Sequence, residues 1–306
     1  MKFHPEGVLI DLPENKAAMS SRAALAEAEK NQKILEAKAI LCDSGHNLVV
    51  DLGCMRGVIP REEGAIGIAE GNVRDIAIIS RVNRPVSFVV DGFFTDENGN
   101  ETALLSRRKA QDACRARFID RLIPGDVIAA RVTHLEPFGA FCDIGCGIAA
   151  LMPIDAISIS RINHPNERFC VDMAIRAVVR QNENGRITLS QKELLGTWEE
   201  NAALFSPGET VRGFIRSVEP YGVFVELAPN LAGLAEPRED AQPGKLASVY
   251  IKSILPDRMK VKLIIIDVFD EAPKPPQPHY FCEQDHIAQF YYSPEGCTKQ
   301  ITSLFE

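Results

Sequence analysis

Apolar and polar residues alternate along IAARVTHL (128–135) and VRGFIRSV (211–218), with β-branched residues enriched, the period-two signature of half-buried strands. AFCDIG and VFVELA come directly after each of them across a Pro-aromatic-Gly corner, and further strands are predicted at 173–181, 186–190, 246–255 and 260–267. Three stretches read instead as helices. AALAEAEKNQKILEA (23–37) is rich in helix formers and lacks Gly and Pro; SRRKAQDACRARFIDRL (106–122) and KELLGTWEENAALF (192–205) are each stopped by a Pro-Gly pair.

The strands recur as a block. PGDVIAARVTHLEPFGAFCDI (124–144) aligns without a gap to PGETVRGFIRSVEPYGVFVEL (207–227), and a weaker third copy lies upstream over 34–60, closing with ETALLSRRKA at 101–110. Such a repeat is too long for a solenoid unit, so each copy is an independent small domain. Four or five short antiparallel strands with one long irregular loop predict a Greek-key barrel of the OB type. The predicted fold is therefore mainly β: three tandem five-stranded OB barrels joined by short helices, plus a short C-terminal appendage. The expected boundaries are an N-terminal extension (1–31), first degenerate repeat (32–105), basic linker helix (106–121), second repeat (122–191), linker helix (192–205), third repeat (206–268), and a Pro-rich spacer with appendage (269–306).

Composition changes this picture little. At 306 residues and 45% hydrophobic content the chain can bury several cores. It has no apolar run long enough for a membrane helix and no secretory-type N-terminus, so its eight cysteines are read as reduced thiols in a cytoplasm. The net charge of −8 argues at first against nucleic acid, but it is unevenly distributed. Residues 106–121 hold six basic and two acidic side chains, whereas 32–105 hold seven and eleven. Arg107, Arg108, Arg115 and Arg117 either form a solvated helix face or each neutralise a phosphate.

Enzyme-like patterns fail on context. GCGIAA (145–150) joins two short strands rather than a strand and a long helix, and TDENGNE (95–101) lacks EF-hand spacing and reads as a hairpin turn. His279, Cys282, His286 and Cys297 are too irregularly spaced for a zinc site, Cys142 and Cys146 read as buried thiols, and Trp198 as packing on a barrel. No cofactor, metal or small-molecule substrate is expected.

Phe138 and Phe141, like Tyr221 and Phe224, are three apart. On a regular strand they face opposite sides, one core and one exposed. A bulge at Gly139 or Gly222 would turn both to one face and make a stacking platform for bases. Both readings stand on pattern alone.

GDVIAARVTHLEPFGAFCDIG (125–145) with GRITLSQKE (185–193) resembles the S-one RNA-binding domain, the OB repeat named after a large small-subunit ribosomal protein that captures mRNA; LSRRKA at 105–110 is similar to the segment that ends such repeats in that protein. The resemblance implies a ligand face of two aromatics, a His, an acidic and a basic residue. In the second copy these are Phe138, Phe141, Asn182 in the acidic position, and Arg186, with Pro153 where the His belongs. In the third they are Tyr221, Phe224 and Lys260, with Glu236 and Pro256 at the His and acidic positions. In the first, His46, Val49, Pro60 and Thr102 replace the set, so RNA affinity is expected to rank second, third, first. The implied protein is a non-enzymatic, cytoplasmic RNA-binding protein of translation, whose partners are single-stranded mRNA and the small ribosomal subunit. The rival readings are a protein-docking module and an accessory subunit of RNA decay.

Overall fold

The computed structural model describes residues 3–96, 99–270 and 277–305, and the chain divides into two compact units. The first contains α1 (Pro13–Ala18), α2 (Arg22–Lys30), β1 (Leu35–Cys42), β2 (Leu48–Asp51), β3 (Arg56–Ile59), α3 (Ile76–Ile79), β4 (Pro85–Thr95), β5 (Glu101–Ser106) and α4 (Arg107–Arg117). Its strands close into a barrel in the order β1-β2-β3-β5-β4, antiparallel except where β3 meets β5. Alternate residues such as Leu48, Val50, Phe88, Val90 and Leu105 fill the interior, joined by Leu25 from α2.

The helix expected over 23–37 is shorter than its composition predicts. It ends at Lys30, Gln32 takes a left-handed turn at φ 47°, and Leu35 to Lys38 pair with Phe88 to Pro85 as strand. Cross-strand pairing and burial of Leu35 and Ala37 override helix propensity there. The linker helix at 106–122 forms as α4, capped by Ser106 Oγ accepting from Lys109 N–H, and ends in a 3-10 turn at Ile119–Arg121. TDENGNE joins β4 to β5; residues 97–98 within it lie outside the described ones.

The second barrel is built from β6 (Val127–Glu136), β7 (Gly139–Asp143), β8 (Ala149–Pro153), β9 (Ala174–Glu183) and β10 (Arg186–Ser190). The segment expected as one helix over 192–205 breaks at Gly196 (φ 83°) into a 3-10 turn, Lys192–Leu195, and α5 (Trp198–Ala202). Trp198 is buried against the third barrel's core. That barrel comprises β11 (Thr210–Glu219), β12 (Gly222–Ala228), β13 (Leu231–Ala235), β14 (Leu246–Leu255) and β15 (Lys260–Phe269).

The C-terminal appendage forms a two-stranded ribbon, β16 (Gln289–Tyr291) with β17 (Thr302–Leu304). It is also a strap. Val127 N–H donates to Asp285 C=O at 2.8 Å and Ile287 N–H to Gly125 C=O at 2.8 Å, while Trp198 N–H donates to Tyr292 C=O at 3.0 Å. Most of the Pro-rich spacer (272–278) lies outside the described residues. The four tail residues weighed as zinc ligands have other partners or places: His286 pairs with Asp126, Cys297 Sγ donates to Pro256 C=O, His279 packs edge-on against Phe281, and the Cys282 carbonyl accepts from Arg176.

Candidate nucleic-acid interface

The repeated corner is a tight turn between strands. β6 ends at Glu136 and β7 starts at Gly139, so Pro137 and Phe138 form the turn; Pro220 and Tyr221 do the same between β11 and β12. Phe138 is 56% exposed and Tyr221 66%, while Phe141 and Phe224 stand on the strands and are partly covered. Phe138 and Phe141 lie edge to face with centroids 6.0 Å apart, and Tyr221 and Phe224 repeat this at 6.2 Å.

The pairs share a face for a different reason from the expected bulge at glycine. The first aromatic is off the strand, so strand alternation does not apply to it. The glycine is required by a close approach: a Cβ at Gly139 would sit 2.4 Å from Met152 C=O, and one at Gly222 2.6 Å from Ala235 C=O. The bulge in this hairpin is on the facing strand, between Ile215 and Ser217.

Register extends the platform into a row around the outer wall. In the third barrel Ser217, Phe224, Leu234, Lys262 and Ser253 are successive cross-strand partners. The cation in the row is therefore Lys262, which motif alignment passed over; Lys260 sits two residues earlier, opposite Leu255, at the mouth of the β14–β15 hairpin. Both are exposed, and neither is in an ion pair among the described residues. In the second barrel Leu151, Thr188 and Gln181 are successive partners, and Thr133 Oγ1 donates to Phe141 C=O. Arg186 is exposed at the start of β10. Asn182 holds the adjoining Asn184-Gly185 turn, its Oδ1 accepting from Gly185 N–H at 3.0 Å, and both turn residues have positive φ.

A further ring was missed. His134 on β6 lies 6.4 Å from Phe141, with Nε2 2.7 Å from Glu136 Oε1. The family pattern directs attention to Pro153 for a histidine, whereas this one reaches the platform from the neighbouring strand. In the first barrel the corresponding row is Leu41, Val49, Val58, Leu104 and Gly92, aliphatic throughout its side chains. His46 lies 3.6 Å from Asp75, and Thr102 is buried.

The linker arginines divide. Arg107 is buried: Nε donates to Glu6 Oε1 at 2.7 Å, Nη2 to Glu6 Oε2 at 3.1 Å, and Nη1 to Gly64 C=O at 3.2 Å. It has no face left for a phosphate, so its expected RNA contact is corrected to a structural role. Arg108 pairs with Glu63 at 2.6 Å and lies 3.6 Å from Asp112; Arg115 lies 3.6 Å from Asp120 and, like Arg117, is exposed. Glu6 backbone N–H donates to Asp143 Oδ2, and Glu36 nearby accepts from three backbone N–H groups, of Gly7, Leu9 and Ile10. Burial pushes Glu36 up to about 7 in spite of these donors. It does the same to Asp143, reinforced by the Glu6 charge. Cys142 and Cys146 are buried, and the Cys146 thiol is pushed far up by its hydrogen bond with Cys114 and by burial, which leaves it unreactive.

Three closed five-stranded barrels in tandem define a protein of the tandem OB-barrel class. Residues 121–192 match the family described as S1 RNA binding domain, so the second barrel is a domain of the S1 type. The whole chain is similar to the small ribosomal subunit protein bS1 of Staphylococcus epidermidis, 30% identical over 79% of this chain, and to that of a Staphylococcus aureus strain, 28% identical over 80%. The chain spans 63% and 64% of those relatives' lengths. A multidomain protein with nucleic acid binding domains from Streptococcus pneumoniae aligns over 76% of this chain and 73% of its own, with 14% identity and a TM-score of 0.26.

Proposed function

We propose that this chain is a non-enzymatic, cytoplasmic protein of translation that captures single-stranded mRNA, in association with the small ribosomal subunit. The observation that carries the reading is the pair of aromatics at each of two corners, exposed Phe138 against half-buried Phe141 and exposed Tyr221 against half-buried Phe224. An exposed ring at a turn contributes little to a core, whereas each base stacked on such a ring contributes about 1–3 kcal/mol whatever its identity. Arg186, Lys260 and Lys262 supply phosphate or base-edge contacts beside the rings, and two tethered sites raise each other's effective concentration. No helix among the described residues is long and apolar enough to cross a membrane.

The test is fluorescence anisotropy with labelled single-stranded RNA across a salt series. Phe138→Ala with Phe141→Ala is expected to weaken binding by about one to two orders of magnitude with the fold intact. Unchanged affinity and salt slope would remove the platform. A docking role for the first barrel is favoured by its aliphatic outer row, and co-sedimentation with small ribosomal subunits, against co-purification with a nuclease, separates translation from RNA decay.

A further inference from the structure

The three barrels share one more element, a wall formed by their last two strands. In each, the register slips at one bulged residue of the fourth strand, at Asp91, Arg180 and Lys252 respectively. Just beyond the bulge, equivalent cross-strand pairs face outward: Val89 with Ser106, Val178 with Ser190, and Tyr250 with Ile264. The same position has three different fates.

In the first barrel both residues are buried, at 3% and 0%, where α4 turns off at Ser106 and lies along β4. The bulged Asp91 pairs there with Lys109 of that helix. In the second barrel both are 0% exposed; Val178 packs against Leu194 of the 3-10 turn and Ile287 of the tail. In the third barrel Tyr250 is 36% exposed and Ile264 42%. Here the last strand does not turn off. It runs on to Phe269, leaving Ile266 and Phe269 exposed as well.

We propose that this bare wall of the third barrel is a docking site for an amphipathic helical segment of a partner protein, with acidic residues beside its apolar stripe. The chain itself supplies the pattern for the occupant: where the wall is covered in the first two barrels, a short segment covers it, the helix α4 on the first and Leu194 with Ile287 on the second. The sign of the charge comes from the bulge. An acidic Asp91 meets a basic Lys109 in the first barrel, so Lys252 at the same place, with Lys262 nearby, selects an acid. Neither lysine is in an ion pair among the described residues, on a chain whose net charge is −8. An apolar pair rimmed by unmatched lysines is the complement of such a helix.

The probes are an amphipathic helical peptide with a leucine stripe flanked by glutamates, and its lysine-flanked counterpart, titrated into the full chain and followed by backbone amide shifts. The expected result is saturable binding of the glutamate peptide, with the largest shifts at Tyr250, Lys252 and Ile264. Lys252→Glu should weaken that peptide by about two- to fivefold and favour the lysine peptide by a similar factor. Tyr250→Ala should weaken both. Absence of binding, equal binding of the two peptides, or shifts centred elsewhere would overturn the proposal. It would equally fail if Tyr250→Ala lowered affinity for single-stranded RNA, which makes the wall a third stacking surface. It fails too if the free chain self-associates in sedimentation and Ile264→Asp abolishes this, because the occupant is then a second copy.

Discussion

The outer row of the first barrel and that of the third occupy the same register on the same strands. One reads Leu41, Val49, Val58, Leu104, Gly92; the other Ser217, Phe224, Leu234, Lys262, Ser253. Between these residues, the inward ones are alike in kind: Leu48 and Val50 in the first, Val223 and Val225 in the third. Fold and ligand chemistry are thus written on alternate residues of the same strands. A copy can lack an outward ring and cation while keeping its barrel, and that is the difference between these two. Their cations differ in the same sense. Arg107, Arg108 and Lys109 beside the first barrel are matched to Glu6, Glu63 and Asp91, whereas Lys260 and Lys262 of the third point outward without an acidic partner among the described residues.

The largest effect should come from the matched side. Arg107→Ala strands Glu6 beside Asp143 in a buried site, and denaturant unfolding should show a loss of about 3–5 kcal/mol in the first-barrel unit. RNA anisotropy should not change; the reverse pattern would restore Arg107 as a phosphate contact. Next in size is a pH effect. Glu36 has an ordinary value of 4.5 and titrates near 7 in the fold, so between those values the folded chain holds a proton that the unfolded chain has lost. Stability of this unit should therefore rise as pH falls from about 8 toward 5, with Glu36 contributing at most about 1.4 kcal/mol for each pH step of one. Asp143 acts in the same direction. Glu36→Gln should flatten the profile, and a wild-type stability that climbs with pH would contradict the assignment.

Grafting sharpens the comparison directly. His46→Tyr with Val49→Phe places two rings at the first barrel's corner, and RNA affinity should gain about fivefold, the lower end of one stacked base. No gain would mean that the aliphatic row does more than lack rings. The smallest effect is expected for Lys262→Ala, which should make the log–log salt slope for single-stranded RNA less steep by about 0.7. Lys260→Ala with the larger change would return the phosphate contact to the hairpin mouth.

Much of this architecture is legible in the chain because strand alternation and the repeated EPFG and EPYG corners are local signals. The features that escape a reading of the sequence depend on partners distant along it. Arg107 looks like a surface cation until Glu6, from the other end of the unit, closes on it. His134 reads as one more outward strand residue until β7 brings Phe141 beside it. Residues 35–37 have helical composition, and only their pairing with Val86 to Phe88 makes them strand. The corner glycines stand out in the sequence as candidate bulges, yet their cause is a neighbouring carbonyl, invisible there, that excludes any side chain.

The strap formed by the tail has a consequence in time. His286 meets Asp126 across 160 residues of sequence, and Ile287 seals Val178 of the second barrel. Contacts of such high order form late, because loop closure precedes their reward. A chain made from its N-terminus can close the second barrel early and bring Leu194 onto Val178, yet lacks the Ile287 cover until the third has been synthesised. The second barrel therefore passes through a stage in which its wall has Leu194 over it but not yet Ile287, between the sealed wall it ends with and the bare one the third keeps.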